Sequence, residues 1–81
     1  MTRIQVKDLG MNYKAKAIKA DGVWYLVSYD TVVAQCDGEG NLTMHIPKDV
    51  VSNTTARHIN KFVQLYAKSG TDWKKATVVV M

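Results

Sequence analysis

The residues of this chain that could do chemistry are one cysteine, two histidines and a run of hydroxyls. The run, SNTTARHINKF from Ser52 to Phe62, sets three hydroxyls, an amide, Arg57 and His58 ahead of an apolar stretch. A Cys-His nucleophile would need Cys36 within hydrogen-bond reach of His45 or His58, with a third group orienting the base. Cys36 instead sits at a strand end beside the turn DGEG, with no local signature, and reads as a small, partly buried thiol. One Cys and two His, at spacings of nine and thirteen residues, lack the paired close ligands of a zinc site. The acidic residues are scattered mainly over turns and offer no catalytic pair, and Gly38 and Gly40 serve a hairpin and open no phosphate loop. The expectation is no enzyme: no catalytic residue, no metal, no cofactor and no small-molecule substrate.

Ser52, Asn53 and Thr54 have a plainer use. They stand immediately before a run in which Ile59, Phe62, Val63 and Tyr66 recur at i, i+3, i+4 and i+7, where side-chain oxygens satisfy the free amides of a helix start. This predicts one amphipathic helix from about Thr54 to Lys68, stopped by Gly70 at a C-terminal cap. The rest reads as strands. TRIQV and NYKAKAIKA alternate, the second placing Tyr13, Ala15 and Ala17 opposite Lys14 and Lys16. Asp21-Gly22 then makes a hairpin turn into VWYLVSY, which has no polar face and reads as a central strand. TVVAQC continues it after Asp30, DGEG turns the chain into NLTMHI, and Pro47 stops that strand. ATVVVM returns as a strand at a sheet edge. The expected fold is α+β: one domain over residues 1–81, an antiparallel sheet of five or six strands with one amphipathic helix packed on one face.

Charge is zoned along the 81 residues, whose net charge is +4. Residues 1–20 carry five cations against Asp8, residues 21–51 five carboxylates against Lys48, and residues 52–81 five cations against Asp72. Arg57, Lys61 and Lys68 form a basic stripe on the helix, and Lys14 and Lys16 a basic strand face. With Tyr25, Tyr29 or Trp73 to stack on bases and Lys74 and Lys75 beside Trp73, nucleic acid is one expected partner. The other is protein: a single helix covers one face of VWYLVSY, so the second face needs other segments, a second copy in a homodimer, or a partner. No apolar run approaches the roughly 18–20 residues of a membrane span. With one thiol and no apolar leader, the expected setting is a reducing cytoplasm.

YDTVVA (Tyr29 to Ala34), followed some twenty residues later by SNTTARHI (Ser52 to Ile59), resembles a group of small phage-encoded proteins that combine Tyr-Asp-Thr-x-Val-Ala with Ser-x-Thr-Thr-x-Arg-His-Ile. The resemblance spans residues 24 to 63. It implies a viral accessory protein working in a bacterial cytoplasm and carries no catalytic residues. Such proteins often inhibit or redirect host complexes, CRISPR nucleases among them, and a small chain suits a stoichiometric binder. The basic net charge argues against mimicry of nucleic acid. Within the paired motifs, Asp30 at the strand break is expected to latch onto the helix start, with Thr55 and His58 adding hydrogen bonds.

Overall fold

The computed structural model describes residues 4–8 and 15–80. Five strands come first: β1 (Gln5–Asp8), β2 (Ala15–Ala20), β3 (Val23–Ser28), β4 (Thr31–Cys36) and β5 (Leu42–Met44). A 3-10 turn (Lys48–Val50), the helix α1 (Asn53–Tyr66), a second 3-10 turn (Trp73–Lys75) and β6 (Thr77–Val78) complete the chain. The strands form one six-stranded sheet in sequence order, β1 to β6. The first four pairs are antiparallel and β5–β6 is parallel. The α+β class and the strand number are as expected, and the sheet is mixed because its last strand returns by way of α1, a long connection that permits parallel pairing.

The β2–β3 hairpin turns at Asp21 and Gly22, both at positive φ (53° and 79°), the geometry an Asp-Gly pair favours. The β3–β4 connection differs from expectation. TVVAQC does not continue β3; the chain reverses at Tyr29 and Asp30, and Ser28 pairs with Thr31. Tyr29 takes φ 56°, a left-handed conformation unusual for a bulky residue, so no Gly or Asn advertises this turn. Beyond it, the register passes from Val27↔Val32 to Leu26↔Ala34, leaving Val33 as an extra residue on β4.

The helix also ends earlier than its periodicity predicts. It stops at Tyr66, and Ala67 is extended (φ −80°, ψ 156°). Lys68 N–H instead donates to Gly40 O at 3.0 Å, pinning the helix exit to the β4–β5 turn. Gly40 lies at φ +86°, and a Cβ there would sit 2.7 Å from Lys68 N, so the crossing requires glycine. The turn itself is held by Asp37, whose carboxylate accepts from Asn41 N and Glu39 N, each at 2.9 Å, and from Asn41 Nδ2 at 3.1 Å. These bonds, those from Asn41 first, draw the Asp37 pKa below the ordinary carboxylate value. Gly70, expected as the helix cap, closes the following turn, where Thr71 N–H donates to Lys68 O.

Alternation and register sort the side chains into two layers. Ala15, Ala17, Leu26, Ala34, Cys36 and Met44 point to the α1 side and are buried with Ile59, Phe62 and Trp73. Ile18, Tyr25, Val27 and Val32 occupy the opposite side. Among the described residues, no helix is long and apolar enough to cross a membrane.

Candidate functional site

The helix start is a hydrogen-bonded chain. Ser52 is the N-cap: its Oγ accepts from Thr55 N–H at 3.1 Å, and its carbonyl accepts from Ala56 N–H at 2.8 Å. Ser52 Oγ–H donates to Thr55 Oγ1 at 3.1 Å, Thr55 Oγ1 lies 3.4 Å from Ser28 Oγ, and Ser28 Oγ lies 2.8 Å from His58 Nδ1. The Tyr29 ring covers His58 at 5.9 Å between centroids. Thr55 and His58 therefore do join helix to sheet, but their partner is Ser28. Asp30 lies past the Tyr29 turn, exposed, in a hollow shared with His45 and Val80, and makes no hydrogen bond to the helix start. Ser28 follows Trp24 and Leu26 at alternate positions of β3, and that alternation aims its hydroxyl at α1.

A serine on a histidine invites comparison with an activated nucleophile. Ser28 and His58 are each only 2 % exposed, and a nucleophile must be reached by its substrate. Burial favours the neutral imidazole and lowers the His58 pKa below 6.5. A buried, neutral, hydrogen-bonded pair of this kind fixes packing geometry.

The remaining candidates are also engaged. Cys36 is fully buried and its thiol faces Tyr66 O at 3.3 Å; burial, and then the charge of Asp37, raises its pKa. His45 Nδ1–H donates to Val79 O at 2.7 Å, and its Nε2 lies 2.7 Å from the end of the Gln35 side chain. His45 thus clasps the chain just after β6, where Val79 N–H also donates to Met44 O at 2.8 Å. Among the described residues, no three metal-ligating side chains come together.

The expected partner-binding residues divide between surfaces. Tyr25 and Lys16 share the sheet face opposite α1, because Lys16 pairs with Val27 and Tyr25 with Ile18 in the β2–β3 ladder. Arg57 is exposed and Lys61 half-buried on the outer side of α1, away from His58, Ile59 and Phe62. Lys68 lies beyond the helix, its Nζ donating to Asn41 Oδ1 at 3.1 Å, and does not extend the stripe. Tyr29 belongs to the helix side through His58, and Lys14 lies outside the described residues. The basic zones at the two ends of the sequence do not meet in the sheet either. Lys16 and Lys19 of β2 are separated from β6, next to Lys74 and Lys75, by four strand spacings, about 19 Å.

What the fold brings together instead is an apolar row. Val6, Ile18 and Tyr25 are successive ladder partners on the face opposite α1, flanked on β3 and β4 by Val27 and Val32. Val6 is 59 % exposed at the β1 edge, and the other four are half-buried. None of the described helical segments packs on this side: α1 faces β3 and β4 from the core side. The signal was present in VWYLVSY, whose two faces are both apolar; the row across the strands became visible only with the register. No curated protein and no solved structure matches the chain. A family model does match, over residues 4–79, and the chain belongs to the Family of unknown function (DUF8033).

Proposed function

We propose that this chain is a non-enzymatic binding module whose uncovered sheet face docks on a protein. The observation that carries this reading is the row Val6, Ile18 and Tyr25 with Val27 and Val32 beside it, a contiguous apolar strip that no described helix covers. Apolar strips of this kind on small proteins mark interaction surfaces. Tyr25 suits the centre of such a surface, since tyrosine offers a large contact area with few rotatable bonds and a polar end. The exposed Lys16 at the rim and the net charge of +4 favour a partner surface that is apolar at its centre and acidic around it. The resemblance to small phage-encoded proteins suggests where that partner belongs: a host protein complex, with CRISPR-type defence nucleases in the class, inhibited or redirected by a stoichiometric binder in the bacterial cytoplasm.

The test is a photo-crosslinking amino acid placed at Tyr25 and, in a second version, at the exposed Leu65 on α1. In nuclease-treated lysate of the bacterial host, the version labelled at position 25 should crosslink one discrete protein, and the version at position 65 should not. Equal crosslinking from both positions, or from neither, contradicts the assignment to the sheet face.

A further inference from the structure

On the side of the sheet that carries α1, the helix does not cover everything. Trp24 of β3 stacks on Tyr66 at the end of α1, with ring centroids 4.3 Å apart and planes inclined by 22°. Tyr66 thereby occupies one face of the indole. Two lysines come from the strands beyond: Lys19 of β2 is the direct ladder partner of Trp24, and Lys7 of β1 lies diagonally across from Lys19 on the same face. Their ammonium groups stand 5.8 and 6.0 Å from the centroid of the Trp24 ring.

Each contact alone is an ordinary cation–π packing of a lysine on a tryptophan. The pair is less ordinary. Two like charges converge on one ring. Their repulsion is relieved by an anion placed between them. The ring they flank is half-exposed and stacked on Tyr66, with the two ammonium groups over it. An aromatic platform with two flanking cations is the arrangement that takes a base on the ring and phosphates on the ammonium groups.

We propose that Lys7, Lys19 and Trp24 form a binding shelf for single-stranded nucleic acid. A base stacks on the Trp24 ring in place of the lysine ammonium groups, and Lys7 and Lys19 swing out to the flanking phosphates. This surface is on the opposite side of the sheet from the protein-docking row, so the two can be occupied together, and neither assignment depends on the other. A chain bound to protein on one side and to a nucleic-acid strand on the other suits a nucleoprotein complex.

The experiment measures binding of the full chain to a fluorescent oligothymidylate of about 12 nucleotides between about 50 and 200 mM salt. The variants are the double substitution Lys7→Gln and Lys19→Gln and, as a control of equal charge change, Lys74→Gln and Lys75→Gln. Single-strand binding loses about 0.7 in the slope of log affinity against log salt per phosphate released. The Lys7/Lys19 variant should therefore bind more weakly, with a slope shallower by about 1.4, while the Lys74/Lys75 variant retains the parent slope. Thermal melting of each variant shows whether the substitutions, one of them at the half-buried Lys19, leave the fold intact. No binding by the parent at about 50 mM salt, or equal losses in both variants, overturns the shelf. Inorganic polyphosphate or polyglutamate competing as strongly as unlabelled oligothymidylate at equal charge concentration overturns the nucleic-acid assignment, because neither offers a base to Trp24.

Discussion

At the scale of single residues, the hydroxyls and histidine of SNTTARHINKF are explained by the joint they make. Ser28 and His58 form a buried hydrogen bond 2.8 Å long between the end of β3 and the first turns of α1. Ser28→Ala leaves the His58 nitrogen without its partner and should lower stability by about 1–3 kcal/mol, read as a fall in the denaturation midpoint. Asp30→Asn, on an exposed residue that makes no such bond, should stay within about 0.5 kcal/mol of the parent. Equal losses in the two variants would return the latch to Asp30. His58 adds a pH signature. Its folded pKa lies below 6.5, so the unfolded chain takes up a proton first as the pH falls. Stability contributed by the neutral ring is complete above about 6.5 and is lost as the pH drops from there towards the folded value. Melting temperatures between about pH 8 and pH 5 should fall on the acid side in the parent and less so in His58→Asn, which keeps a hydrogen-bonding group near Nδ1. Parallel profiles would mean that His58 does not titrate differently in the two states.

At the scale of elements, the turn chemistry decides what could be read from the chain. The Asp21-Gly22 hairpin, the end of β5 before Pro47 and the change to a 3.6-residue period after Ser52 are local signals, and each marks its element. The β3–β4 reversal has no such signal, because Tyr29 takes a positive φ where no Gly or Asn marks the turn. That one turn also explains why Asp30 is not at the helix start. The periodic pattern runs past the end of α1 because Lys68 continues it while its backbone is committed to Gly40 in another turn. Long-range commitments of this kind have no trace in local spacing. The tail is similar: apolar alternation marks ATVVVM as a strand, but its parallel place beside β5 depends on His45 and Met44 binding Val79. Deleting residues 79–81 removes both bonds and should destabilise the fold by about 1–3 kcal/mol. A deleted chain that melts like the parent would show that the clasp contributes nothing.

At the scale of the whole molecule, the sheet separates two chemistries that the sequence mixes residue by residue. Tyr25, Ile18 and Val6 were visible as strand residues, but only the ladder aligns them into a single row. Arg57 and Lys61 stay on the far side of α1, and Lys7, Lys19 and Trp24 make a separate basic shelf beside it. These cations thus lie on the side of the sheet opposite the apolar row, and they divide between two places on it. The measurement that tests the proposed docking face most directly compares capture of the protein crosslinked at position 25 by two variant pairs, Ile18→Gln with Tyr25→Gln and Arg57→Gln with Lys61→Gln, at low and high salt. The uncovered-face account predicts loss of the partner only with Ile18 and Tyr25 replaced, and parent-level capture by the helix pair at both salt concentrations, since an apolar interface is little screened. Retention by the Ile18/Tyr25 pair, with loss confined to the Arg57/Lys61 pair, would contradict it.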